Sequence, residues 1–300
     1  MVVAGTRPEF IKLAPVITGL QQTPNVDLIF IHSGQHFDEP MSRTLIQELG
    51  LPEPLHNFGV GGKSDPQQIA TTLAESESVI RRYEPELILA EGDTNTVVAV
   101  AVAAAKVGVP FGHVEAGLRS FDRTMPEEIN RVVADSCSDL CFCPTEISAV
   151  NLCREGILPD RIHITGNTIV DACKKHLTVA FAKSNILNEF GLNGRFGLVT
   201  VHRKENVDSA ERLSQIIDAL CALDELDLVF TIHPRTQRRL DKSLLWQRVV
   251  RSPHIIPSKP LGYLDFLKLL MSSLMVLTDS GGVQEEALTL RVPCLTLREN

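Results

Sequence analysis

Short apolar runs alternate along this chain with longer segments whose apolar residues recur every three or four positions. These are the periods of buried strands and of helices. Strands are expected at 2–4, 26–32, 86–90, 109–114, 139–143, 161–165, 196–201, 227–232, 274–278 and 294–297. The first helix, expected at 9–21, carries Phe10, Ile11, Leu13, Val16, Ile17 and Leu20 on one broad face, with a kink at Pro15. Further helices are expected at 65–82, at 97–107, from Pro126 onward and at 145–155. Strand, helix, strand at this spacing is a βαβ unit and belongs to a parallel sheet. The alternation restarts after Gly166-Asn167-Thr168. The expected fold is therefore α/β, with two Rossmann-like domains, 1–168 and 169–300, facing a central cleft, and 169–194 as the crossover. Met1 falls inside the first expected strand, and Asn300 follows the last one with no covering helix. The expectation is that the C-terminal end is truncated and the second domain incomplete.

Polar residues collect where the strands end. In open α/β sheets ligands sit outside the carboxyl ends of the strands. The stretch from Ala90 to Arg131 places Asp93, Glu115 and Glu127 at such ends or in the loop after one. Acids beside apolar strand ends suit proton transfer, because burial raises a carboxyl pKa toward working pH. A plainer reading stays open: Asp93 caps the next helix, and Glu127 and Glu128 complement a helix N-terminus. Near the start, G-T-R-P-E leads into a helix with Arg7 at the turn and Lys12 one turn in, an anion-binding arrangement. His32, His36 and Asp38 read as satisfied polar loop residues, and Gly59–Gly62 with Lys63 as a flexible loop that lacks P-loop spacing.

The second half repeats the placement. His202-Arg203-Lys204 follows one strand, His233-Pro234-Arg235 another, and Asp279-Ser280-Gly281-Gly282 a third, with Glu286 one turn into the next helix. Ser-Gly-Gly at a helix start leaves backbone N–H groups for a diphosphate, and Glu286 suits ribose hydroxyls. One wall rich in acids and one with His, Arg and a helix start fit a nucleotide-diphosphate ligand. NAD is disfavoured, since no G-x-G-x-x-G follows the first strand.

Composition narrows the partners. The net charge of −8 argues against nucleic acid. Seven cysteines, an odd number with no zinc spacing, read as reduced core residues of a cytoplasmic protein. No segment reads as a membrane span, and the polar Gly-Thr-Arg after Met1–Ala4 does not read as a signal peptide.

The motifs G-T-R-P-E-F-I-K, E-G-D-T-N-T, H-V-E-A-G-L-R, P-E-E-I-N-R, H-R-K-E-N-V-D, H-P-R-T and T-D-S-G-G-V-Q-E-E occur in this order across nearly the whole chain. In them the sequence closely resembles the non-hydrolysing UDP-N-acetylglucosamine 2-epimerases. The resemblance implies a glycosyltransferase-B-like fold, interconversion of UDP-GlcNAc and UDP-ManNAc, a homodimer, and neither metal nor other cofactor. It implies elimination of UDP to a 2-acetamidoglucal and re-addition with protonation on the other face. By the same resemblance Asp93, Glu115, Glu127 and His202 are the catalytic set. Arg7, Lys12, Arg131, His233, Phe266, Ser280, Gly281, Gly282 and Glu286 are the substrate-binding set. The rival readings are the same chemistry on another UDP-sugar, such as a 2,3-diacetamido uronic acid served by Arg119 or Arg123, a glycosyltransferase, and a non-catalytic UDP-sugar-binding protein.

Overall fold

The computed structural model describes residues 1–35 and 39–298; the expectations for His36 and Asp38 lie outside the described residues. The chain divides into two compact units, Met1–Ala172 and Cys173–Asn300. Unit 1 holds strands β1 (Val2–Ala4), β2 (Phe30–His32), β3 (His56–Asn57), β4 (Ile88–Glu91), β5 (Phe111–Val114), β6 (Leu140–Cys143) and β7 (Ile162–Ile164). They form one sheet in the order β3-β2-β1-β4-β5-β6-β7, and every pairing is parallel. Unit 2 holds β8 (Phe196–Val201), β9 (Asp227–Ile232), β10 (Ile255–Ser258), β11 (Met275–Thr278) and β12 (Cys294–Thr296). These form a second sheet in the order β10-β9-β8-β11-β12, also parallel throughout.

In both sheets the strand order reverses beside the first strand. The switch lies between β1 and β4 in unit 1 and between β8 and β11 in unit 2. That point leaves a crevice at the carboxyl ends of the strands. The unit 1 core stacks Val3, Ile31, Ile88 and Phe111 from the sheet on Val97, Val100, Ala101 and Ala104 of helix Asn95–Val107. Each buried Val, Ile or Phe contributes about 1.5–3 kcal/mol over its exposed state. The alanines let this helix lie close to the strands. Unit 2 buries Leu198, Val229, Phe266 and Leu270 in the same manner.

The helices follow their sequence signals. Arg7–Gln22 opens on a capping box between Thr6 and Glu9 and runs through Pro15 unbroken. Asp65–Tyr83 opens on a second box from Ser64. Glu146–Arg154 is capped by Thr145, which accepts from the Ser148 N–H. Strand 26–32 is shorter than expected, beginning at Phe30. β10 was not expected at all. It contains Pro257, which the alternation reads as a breaker, and an edge position makes that proline tolerable. All seven cysteines are free thiols, but Cys153 and Cys294 are exposed, so the reading of core cysteines holds only in part. No described helix is long and apolar enough to cross a membrane.

The loop after β5 depends on Gly117. Its φ is +79°, and a Cβ there would stand 2.3 Å from the Ser148 carbonyl oxygen on the helix behind it. Gly117→Ala is expected to cost about 2–4 kcal/mol, read as a lower urea midpoint with an unchanged slope.

Candidate functional site

The unit 1 switch point carries a buried charge cluster. Lys12 comes from helix Arg7–Gln22, Glu91 is the last residue of β4, and Glu115 follows β5. The Lys12 ammonium contacts the Glu115 carboxylate and lies 3.5 Å from Glu91 Oε1. Lys12 and Glu91 are buried, and the Glu115 side chain is 11 % exposed. Asn167 Nδ2 also donates to Glu115 Oε1, at 3.3 Å. Glu91 Oε1 has no hydrogen-bond partner among the described residues. The backbone at Glu115 is left-handed, with φ of +71°. For a residue with a Cβ this costs on the order of 1–2 kcal/mol. The turn around it is closed by the Glu115 and Ala116 N–H groups, which both donate to the Phe142 carbonyl.

The expectation that burial raises the pKa of these acids fails at Glu115. Burial does oppose its ionisation, but Lys12, a hydrogen bond with Glu91 and the charge of His113 outweigh it and hold the carboxyl below its usual range. Burial wins at two acids that were not assigned to the site. It drives Glu91 well above the usual range, against the pull of Lys12 and with the push of Glu115. It also raises Glu9 to about 7, against hydrogen bonds from Thr94, Gly5 and Thr6. The unit thus sets two acids of opposite tendency across one lysine, Glu115 held toward its anion and Glu91 pushed toward its neutral form.

Asp93 is not a helix cap. Thr94 occupies that position, and the Asp93 carboxylate instead receives Arg131 Nη2 at 2.6 Å. Arg131 Nη1 also reaches Glu128 Oε2 at 3.0 Å, and Asn130 Nδ2 donates to the Asp93 carbonyl at 2.9 Å. Glu128 turns back to accept from the Ser120 and Phe121 N–H groups, and so ties down the loop before its own helix. Glu127 is half-buried, and its carboxylate makes no hydrogen bond or ion pair among the described residues. Arg7 is half-buried at the start of helix Arg7–Gln22, next to its N-cap Thr6. Arg119 is held in the interior by Asp135 at 2.7 Å and by Glu155, with its side chain 1 % exposed.

The unit 2 switch point is organised by a carboxylate. Asp279, fully buried after β11, accepts from the backbone N–H groups of His202 and Arg203 at 3.0 and 2.9 Å and from Asn206 Nδ2 at 3.0 Å. His202 Nδ1 lies 3.4 Å from the same carboxylate. Desolvation, with help from Arg203 and Arg235, keeps the His202 ring below its ordinary pKa despite Asp279, so it is neutral at pH 7. The rings of His202 and His233 lie 5.6 Å apart, and His233 is exposed, its Nδ1 accepting from the Arg235 N–H.

Helix Gly281–Leu290 starts at this end, with Ser280 as its N-cap. A Cβ at Gly281 would approach both Arg203 Nη2 and Arg298 Nη1 at 3.9 Å. Two guanidinium groups therefore stand at a glycine-lined helix start, which is an anion cradle. Gly282 is half-buried there, and Glu286 is buried one turn further in. Phe266 is a core residue of this unit, packed with Leu198 and Val229.

Sequence reasoning passed over Glu9, Glu91, Asp279 and Arg298. Glu91 and Asp279 carried a local signal, an acid closing an apolar run, but not one that told their roles. Asp279 becomes a hub only when β8 and β11 are paired, and Arg298 matters only once β12 lies beside β11.

Two parallel-sheet Rossmann-like units define the glycosyltransferase-B-like class of α/β folds. The profile of the UDP-N-acetylglucosamine 2-epimerase family matches residues 18–300. The chain is 45 % identical to the UDP-N-acetylglucosamine 2-epimerase of Methanocaldococcus jannaschii, across 100 % of this chain and 83 % of that protein. It is 38 % identical to the UDP-2,3-diacetamido-2,3-dideoxy-D-glucuronate 2-epimerase of Pseudomonas aeruginosa, with 100 % and 83 % covered. A crystal structure of the M. jannaschii UDP-GlcNAc 2-epimerase in complex with UDP-GlcNAc and UDP superposes with a TM-score of 0.92 at 44 % identity, covering 100 % of this chain and 83 % of that one. The chain belongs to the UDP-N-acetylglucosamine 2-epimerase family, a family of isomerases.

Lys12→Met leaves two buried carboxyls without their cation and is expected to cost about 3–5 kcal/mol at neutral pH. A carboxyl whose folded pKa is depressed stabilises the fold above its unfolded value and loses that contribution as pH falls through the folded one. The deficit should therefore shrink below the ordinary value of 4.5. Denaturant titrations of both proteins at neutral and acid pH check it.

Proposed function

We infer that this protein is a non-hydrolysing UDP-N-acetylglucosamine 2-epimerase that interconverts UDP-GlcNAc and UDP-ManNAc. Family membership and full-length identity to named epimerases support this reading. The structural observation that carries it is the pairing of two strand-end acids with their own cations, Glu115 with Lys12 and Asp93 with Arg131. Epimerisation at C2 needs a proton taken from one face and returned to the other. Breaking the C2–H and C1–O bonds gives the C1=C2 double bond of a 2-acetamidoglucal and free UDP, and the reverse addition restores the sugar nucleotide. In this reading Asp93, Glu115 and Glu127 handle the protons. Lys12 pairs with Glu115 and Arg131 with Asp93, and Glu127 is the one whose carboxylate is unengaged among the described residues.

Unit 2 is, in the same reading, the UDP-binding domain. Its donors are His202, Arg203, His233 and the helix start at Ser280, Gly281 and Gly282, with Glu286 for ribose hydroxyls. Arg7, on the first helix of unit 1, is the further substrate-binding residue that the family resemblance implies. We propose the cytoplasm as the site of action and a homodimer as the working form, which light scattering tests directly. The uronic-acid alternative gains little from Arg119, since Asp135 and Glu155 already hold it.

Incubation with UDP-GlcNAc in D2O, followed by proton NMR, is expected to give UDP-ManNAc with deuterium at C2. Free ManNAc with UDP would mean hydrolysis instead. Asp93→Asn and Glu127→Gln are each expected to slow exchange by roughly two to four orders of magnitude. A change below about tenfold in either variant would remove that residue from the catalytic set.

A further inference from the structure

We propose that His113 is held as a buried imidazolium that fixes the turn carrying Asp93 and biases Glu115 toward its anion, which makes it a positioning residue for the proton transfers. His113 lies on β5 and is fully buried. Its Nδ1 is 2.6 Å from Asp135 Oδ1, and its Nε2 is 2.7 Å from the Gly92 carbonyl oxygen. A carbonyl oxygen can only accept, so Nε2 must carry a proton. Asp135 is an acceptor too. Its other oxygen already receives Arg119 and the Gly117 N–H, and although burial opposes its ionisation, His113 and Arg119 hold it below the usual carboxylate range. Nδ1 must then be protonated as well. A ring with acceptors on both sides is satisfied only as the doubly protonated cation.

The consequence lies one residue away on each side. Gly92, whose carbonyl the ring grips, sits between Glu91 and Asp93. A Cβ on Gly92 would lie 4.0 Å from Glu115 Oε2, so the gripped turn and the Glu115 carboxylate are neighbours. The ring therefore ties the Asp93 turn to helix Pro126–Cys137 through Asp135, and it places a positive charge behind Glu115. The charged groups around the ring are Asp135 from that helix, Arg119 from the loop and Glu115 from the turn just after its own strand. Across the strands, His113 pairs with Ala90 on β4 and with Cys141 on β6, whose thiol burial pushes up to about 12. Glu91 and Lys12 complete the set around Glu115. Burial alone would lower the His113 pKa, but Asp135, Gly92 and Glu115 raise it above its ordinary value.

This inference rests on the epimerase reading for its kinetic part only. The first test needs no substrate. In protein labelled with 15N-histidine, long-range proton–nitrogen correlation spectra are recorded from about pH 6 to about pH 8. His113, assigned by its loss in His113→Gln or in Asp135→Asn, should keep both nitrogens protonated where exposed histidines, with an ordinary pKa near 6.5, have become neutral. A neutral His113 ring at about pH 8 overturns the proposal, whether or not the protein turns over any UDP-sugar.

The second test is C2 exchange by His113→Gln. Removing the cation should lower kcat about tenfold, leave KM within about twofold, and move the acid limb of the kcat profile up by about one pH unit, because Glu115 loses an opposite charge. A fall in rate with an unmoved acid limb would reduce His113 to a structural role. If that variant does not fold, the spectra of the native protein decide alone.

Discussion

A lysine buried between two carboxyls is the constraint on which the first unit turns. An ammonium taken out of water is tolerated only when the opposite charge arrives with good geometry. Here it arrives from two neighbouring strands, so the register of β4 against β5 and the placement of the first helix are fixed by one requirement. The same requirement divides the acids. One lysine can neutralise one carboxylate, so Glu115 is held toward its anion and Glu91 is pushed toward its neutral form. The cluster thus sets side by side one carboxyl held toward its anion and one pushed toward its neutral form.

Unit 2 meets the same problem with dipoles. Asp279 is even more deeply buried than Lys12, yet among the described residues no lysine or arginine is seen clamped on it. Backbone N–H groups at the end of β8 and the amide of Asn206 satisfy it instead. This leaves the guanidinium of Arg203 turned toward the helix start at Gly281, where a negative ligand would find it. The two units share strand order and place their polar residues at the same topological point. One gathers acids there and the other gathers donors.

Much of this was legible in the sequence. The βαβ period, the helices expected from 65 and from 145, and acids at the ends of apolar runs all read correctly from local pattern, because each depends on neighbours within a few positions. What could not be read depends on strands that are distant in sequence. The direction of the Glu115 shift needed Lys12, which lies on another element. The role of Asp279 needed the end of β8 beside it. The buried ion pairs of Arg119 could not be read either, because Asp135 lies on one helix and Glu155 just past the end of another. β10 was missed because proline is a breaker in every position except the edge it occupies.

The left-handed backbone at Glu115 has a consequence for how this protein can change. Glycine is the residue that releases such a conformation, and asparagine tolerates it better than glutamate. Neither can carry the negative charge that Lys12 requires. Selection for heat resistance alone would favour replacements at this position that also discharge the cluster. In the epimerase proposed above, sequences that drift toward stability there lose proton transfer first, and a stabilised descendant would be recognisable as a binding protein with an intact fold and a silent centre.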